Sequence, residues 1–165
     1  LESEWPLFRA EPIEIPQDLL LSVGFVGYSA STKELVVKIN EAKETNRGEY
    51  DTLIADIKST TEKLIEALKT NNKEEIISLL KENRVLLKKF SDWSSNDLET
   101  KELTLLSDLA DEAGAVGKFS GAGGGDCGIA ISFNQGIKEK VENAWKENNI
   151  YLISANISKE GVLNS

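Results

Sequence analysis

The segment Ser120-Gly121-Ala122-Gly123-Gly124-Gly125-Asp126-Cys127 carries the residue types and spacing from which chemistry is most directly read. Four of the six residues from Gly121 to Asp126 are glycine. Glycine tolerates positive φ and has no Cβ, so this stretch can turn sharply and bare its amides. Successive N–H groups turned into one concavity form an anion nest, and phosphate is its natural guest. The plain alternative is a flexible hairpin connection, because an isolated glycine-rich string is weak evidence. Lys118, just ahead of the loop, either reaches a phosphate or lies solvated at a strand end. Asp126 either ligates magnesium or tightens the loop through hydrogen bonds to its own backbone. Tightening is favoured, since a bare carboxylate repels phosphates. The chain has no histidine. Cys127 therefore has no imidazole to activate it and reads as a small buried residue.

A second candidate is Ser31-Thr32, which opens a helical pattern. Either residue can cap that helix, with Glu34 completing a capping box from Ser31. A helix N-terminus also attracts anions, so Ser31 above all, with Thr32, is a candidate contact for an anionic substrate.

These groups need a scaffold. Residues 5–15 contain Pro6 and Pro12 and the alternation Ile13-Glu14-Ile15, which predicts an extended edge segment. Leu19 to Val26 predicts a strand. A helix should follow from Ser31, with Gly48 ending it or starting the next. Leu53, Ile57, Thr61, Leu64 and Leu68 predict a helix over 50–69, broken at Asn71-Asn72. Ile76, Leu80, Leu87 and Phe90 predict one over 73–92, and Leu103, Leu106, Ala110 and Ala113 one that ends at Gly114. A short strand precedes the glycine loop and Gly128–Phe133 follows it as another. Ile137, Val141, Ala144 and Trp145 predict a last helix, and Tyr151–Ile157 a closing strand. Strands at both ends with helices between them imply an α+β domain. The expected form is an antiparallel sheet with helices mainly on one face, of the split βαβ, ferredoxin-like kind. Trp93 and Trp145 fall on apolar helical stripes and read as core.

A chain of 165 residues, 40% apolar, suffices for one domain with a core. Net charge −9 disfavours non-specific binding to nucleic acid or to an anionic membrane. A single cysteine excludes an intrachain disulfide and suits a cytoplasmic protein. No apolar run reaches the roughly 18 residues of a membrane span, and no signal-peptide pattern opens the chain. Methionine is absent and Leu1 comes first. That predicts a piece of a longer protein. Trp5 and Phe8 would then belong to a contact with the missing domain, or to the face of a homodimer.

Lys118-Phe119-Ser120-Gly121-Ala122-Gly123-Gly124-Gly125-Asp126-Cys127-Gly128 resembles the third conserved motif of the GHMP small-molecule kinases. Within that superfamily it most resembles the phosphomevalonate kinases, Asp126-Cys127 being the discriminating pair. Val23-Gly24-Phe25-Val26-Gly27-Tyr28-Ser29-Ala30-Ser31-Thr32-Lys33-Glu34-Leu35-Val36 resembles the strand–loop–helix segment of those kinases that opens a helix beside the substrate. It departs at Phe25-Val26-Gly27, where Trp-Thr-Gly is the family's string, so residue 26 lacks a hydroxyl.

The resemblance spans nearly the whole chain, as the C-terminal half of such a kinase. It implies a reaction of MgATP with 5-phosphomevalonate to give 5-diphosphomevalonate. It further implies an ATP-binding N-terminal domain in cis that carries the main catalytic groups, so the chain alone should be inactive. The residues implied in substrate or phosphate binding are Ser31, Thr32, Lys118, Ser120, Gly121, Ala122, Gly123, Gly124, Gly125 and Asp126. None is implied as catalytic or as a metal ligand. The rival readings are a mevalonate or homoserine kinase type of the same superfamily, and a non-catalytic ferredoxin-like binding or dimerising module. RNA binding is disfavoured by the charge and by the lack of an aromatic-basic sheet signature.

Overall fold

The computed structural model describes residues 13–29 and 31–157. Trp5 and Phe8 lie outside the described residues, as does most of the predicted N-terminal extended segment. The part of that segment that is described, residues 13–15, forms no strand. Instead the chain turns after Pro16, whose carbonyl accepts the Leu19 amide at 3.1 Å, and only then enters the sheet.

Among the described residues the elements are β1 (Leu20–Phe25), α1 (Thr32–Thr45), α2 (Arg47–Lys69), α3 (Lys73–Trp93) and α4 (Lys101–Glu112). They continue with β2 (Val116–Phe119), β3 (Cys127–Ser132), α5 (Gln135–Glu147) and β4 (Tyr151–Ile153). The strands form one sheet in the order β2-β3-β1-β4, every neighbouring pair antiparallel. This is the split βαβ arrangement, with four helices filling the first crossover and α5 the second. Gly48 lies in the first turn of α2.

The predicted helices form because apolar side chains recur on one face and polar residues close the ends. Asn46, Asn72, Thr100 and Asn134 each cap a helix by accepting an amide three residues on. Ser31 departs from this pattern. It occupies the N-cap position of α1, but its side chain makes no cap bond, and the expected capping box with Glu34 does not form. The Glu34 amide is taken by the Ser31 carbonyl at 3.0 Å, so the hydroxyl is not needed there.

The main core lies between the sheet and the pair α4 and α5, where Leu106, Ala110, Ala130, Val141, Trp145 and Ile150 are buried together. The Trp145 indole is fully buried and donates to the Leu106 carbonyl at 2.8 Å. Strand glycines let α4 come close. A Cβ on Gly117 would stand 2.5 Å from the Ser107 carbonyl oxygen, and one on Gly128 would stand 2.4 Å from the Leu106 side chain. Trp93 is only partly buried, in an aromatic group with Tyr50 and Phe90. The α2–α3 hairpin buries Ala67, Ile76 and Leu79, and α3 packs against the edge strand β2.

Candidate functional site

The glycine loop joins β2 to β3, and its conformation explains its composition. Gly121, Gly123, Gly124 and Gly125 have φ of 74°, 77°, 76° and 128°, and Asp126 has 68°. An L side chain costs about 1–2 kcal/mol in the left-handed region, so glycine is the natural occupant and aspartate one of the few tolerated alternatives.

The second half of the loop is anchored. The Gly124 amide donates to the Leu98 carbonyl at 2.8 Å, in the segment between α3 and α4. The Asp126 amide donates to the Tyr28 carbonyl at 2.6 Å, and the Asp126 carbonyl accepts from the Val26 amide at 2.9 Å. Gly123 and Gly125 admit no side chain. A Cβ would meet the Leu98 carbonyl oxygen at 2.4 Å from the first and the Tyr28 ring at 2.8 Å from the second. The first half is freer. Ser120 closes the hairpin through its amide on the Cys127 carbonyl at 2.9 Å. Gly121 and Ala122 are exposed, and a Cβ on Gly121 would meet nothing within 4 Å. Among the described residues, the amides of Gly121, Ala122, Gly123 and Gly125 have no hydrogen-bond acceptor. Among the described residues, those four are the loop amides left to offer an anion.

Asp126 is exposed. Its part in tightening the loop is played by its backbone amide and carbonyl, while its carboxylate takes the Cys127 thiol at 3.5 Å. Burial pushes the Cys127 thiol pKa up, and the Asp126 charge adds to this, so the thiolate is scarce at neutral pH. Lys118 is partly buried. Its ammonium donates to the Phe119 carbonyl at 2.9 Å and lies 5.5 Å from the Phe119 ring centroid. Burial lowers its pKa, while the charge of Glu99 works in the opposite direction.

Ser31 and Thr32 are exposed at the start of α1. Ser31 follows Tyr28 by three residues, which bounds their separation at about 10 Å even for an extended chain. Leu35, one turn into α1, packs on the cluster of Leu98, Leu103 and Phe119 that lies beneath the loop. The structure thus brings the start of α1 and the glycine loop to the same end of the domain.

Three participants were not singled out from sequence. Tyr28 contributes its carbonyl and ring to the loop, and its hydroxyl donates to Glu102 at 2.6 Å in the first turn of α4. Burial raises the Tyr28 pKa and Glu102 adds to this. Glu102 in turn is held below the usual carboxylate value, first by the Tyr28 hydrogen bond. Leu98 acts through its carbonyl alone. The position of Tyr28 directly after Gly27 in the strand–loop–helix segment was a usable signal. For Leu98 there was none, because every residue type carries the same carbonyl.

Two concavities of the domain lie away from the loop. One of about 300 Å³ sits at the C-terminal end of α3, and one of about 330 Å³ lies in the α2–α3 groove. Of the four donor residues, Gly121 and Ala122 are exposed, Gly123 is half-buried and Gly125 is buried. Among the described residues, no three acidic or cysteine side chains are grouped so as to hold a metal ion.

The family model described as "GHMP kinases C terminal" matches residues 64–150. The phosphomevalonate kinase of Streptomyces sp. (strain CL190) is 26% identical over 164 residues, covering 98% of this chain and 44% of that protein. The mevalonate kinase of Pyrococcus abyssi is 35% identical over 153 residues, covering 88% of this chain and 43% of that protein. In a solved structure, Streptococcus pneumoniae phosphomevalonate kinase in complex with phosphomevalonate and AMPPNP superposes with a TM-score of 0.80 at 29% identity. That match covers 93% of this chain and 43% of that one. The chain therefore spans less than half the length of the relatives it matches.

Proposed function

The chain belongs to the GHMP kinases, as their C-terminal domain, and on that premise we propose that it forms one wall of a phosphoryl-transfer site. In this reading the full-length parent transfers the terminal phosphoryl group of ATP to 5-phosphomevalonate. The observation that carries it is the half-anchored glycine loop. Gly124 and Asp126 are tied down, which leaves the amides of Gly121, Ala122, Gly123 and Gly125 as donors.

Phosphoryl transfer asks a protein mainly for positioning and for charge stabilisation around the transferring group. Gly123 and Gly125, beside the anchored Gly124 and Asp126, supply donors with little reorganisation during the reaction, while Gly121 and Ala122 belong to the freer half. Ser120 and the four donor amides face the phosphates, with Asp126 closing the turn. Lys118 lends positive charge from behind the loop. Ser31 and Thr32, with the helix terminus they open, meet the anionic end of the acceptor. ATP fits this chain at the loop amides. Magnesium is held mostly by the nucleotide's own phosphates with one or two carboxylates, and it would enter this site with ATP.

Phosphomevalonate is favoured as acceptor by the match that covers 98% of the chain, and by the resemblance at Asp126-Cys127. Mevalonate is the second reading, favoured by the higher identity, 35%, to a protein named mevalonate kinase. The test is ADP release by the full-length parent with mevalonate, phosphomevalonate and homoserine in parallel. A clear preference for phosphomevalonate is expected. Preference for mevalonate installs the second reading, and preference for homoserine overturns both.

A further inference from the structure

Arg84, in the middle of α3, is far from the glycine loop in sequence and outside every motif noted above. Its side chain is 11% exposed and that of its partner Glu99 is 2% exposed. The guanidinium grips both Glu99 oxygens, through Nε at 3.1 Å to each and Nη2 at 2.6 Å to Oε1. It also reaches Asp108 at 2.7 Å and Asp111 at 3.0 Å on α4. Asp111 in turn accepts the Gly117 amide of β2 at 3.0 Å.

Glu99 is the residue immediately after Leu98, whose carbonyl anchors Gly124. On the other side, the Leu98 amide donates to the Ser91 hydroxyl at 3.0 Å, and that hydroxyl donates to the Asn96 carbonyl at 2.6 Å. The short segment between α3 and α4 is thus held from both sides. Among the described residues, its hydrogen bond to the loop is the one made by the Leu98 carbonyl.

We infer that Arg84 is a positioning residue for the glycine loop, acting through Glu99 and the Leu98 carbonyl on Gly124. The catalytic part of this inference rests on the phosphoryl-transfer reading above; the mechanical part does not. A planar fork on a buried carboxylate fixes direction as well as distance, which a lysine cannot do. Glu99 has further partners in Lys88 at 3.5 Å and the Thr104 hydroxyl at 3.3 Å, but neither forks onto both carboxylate oxygens, so loss of Arg84 lets Glu99 turn, Leu98 shift, and Gly124 shift with it. Displacing a positioned donor by about 1 Å costs on the order of a hundredfold in rate.

The experiment compares the full-length parent with its Arg84→Met, Arg84→Lys and Ser91→Ala variants by two readouts. The first is hydrogen–deuterium exchange of the peptide covering 119–127, against the α5 peptide covering 137–147 as an internal reference. The second is the split between kcat and the acceptor KM. Arg84→Met should raise exchange in 119–127 selectively and lower kcat about tenfold to a hundredfold, with KM changed much less. Arg84→Lys should recover only part of the loss. Ser91→Ala loosens Leu98 from the opposite side without uncovering a charge. It should show the same selective pattern more weakly, and it decides the matter if Arg84→Met does not fold. Equal loosening of both peptides, or unchanged exchange in 119–127, overturns the positioning role. Selective loosening with unchanged kcat keeps the mechanical link and overturns the phosphate reading of the loop.

Discussion

The Leu98 carbonyl accepts the Gly124 amide at 2.8 Å, and the same oxygen would lie 2.4 Å from a Cβ placed on Gly123. One backbone atom from a remote segment therefore both anchors the loop and forbids a side chain beside the anchor. The loop glycines are consequently unequal, and substitution should reveal it.

Gly123→Ala and Gly121→Ala share a similar backbone penalty, since their φ values are 77° and 74°. Only the first meets a wall. We expect Gly121→Ala to cost about 1–2 kcal/mol, the price of a left-handed alanine. Gly123→Ala should cost about 1–3 kcal/mol more, the range for overpacking. Urea unfolding of the two variants checks this; equal midpoints would disprove the Leu98 contact.

Tyr28→Phe removes the hydroxyl bound to Glu102 at 2.6 Å and little else. Glu102 is held below its ordinary 4.5, first by that bond. A depressed carboxylate contributes stability in full above its ordinary pKa and loses it as pH falls through the folded value. In the variant the Glu102 pKa should rise toward 4.5, and the part of acid destabilisation due to this group should shrink. Carboxyl titration by NMR reads the shift directly, and an unmoved Glu102 would refute the pairing.

Lys118 gives a pH effect at the alkaline end. Burial depresses its pKa below the ordinary 10.5. Between the folded value and 10.5 the unfolded chain binds more protons, so stability rises with pH across that window. Lys118→Met should flatten this rise, seen as a smaller change in urea midpoint between about pH 7 and about pH 10 than in the parent. A rise of the same size in both would mean that Lys118 is solvated.

Gly117→Ala tests the close approach of α4 to the sheet. The added methyl would stand 2.5 Å from the Ser107 carbonyl oxygen and 2.9 Å from the Ala110 Cβ. Neither neighbour is a flexible side chain, so the helix must move outward. A loss of about 1–3 kcal/mol is expected, as for overpacking. Thermal melts measure it, and a neutral variant would mean that the packing is looser than described.

Much of the scaffold was legible because its signals are local. The apolar stripe through Leu53, Ile57, Leu64 and Leu68 marked α2, and Asn71-Asn72 marked its end, with Asn71 at φ 53°. The apolar run Gly128–Phe133 marked β3, and Ile137, Val141, Ala144 and Trp145 marked α5. The capping box at Ser31 was misread because that pattern fits a hydroxyl which the helix start does not use. Trp93 was misread as core because helical phase gives a direction but not the depth of what lies there. It points into a partly open aromatic group with Tyr50 and Phe90.

From residue order alone came a glycine-rich turn between two strands, a helix opening at Ser31-Thr32, and the expectation of anion-binding amides. These follow from φ preferences and periodicity, which each short segment carries within itself. The tertiary structure decided which amides are spent and which are left to offer. That depends on the Leu98 and Tyr28 carbonyls arriving at the loop. Backbone carbonyls are identical in every residue, so no spelling of the chain announces them. The sheet sets β1 beside β3 and so carries Tyr28 to the loop, and the segment that carries Leu98 is held by the Ser91 hydroxyl on its amide.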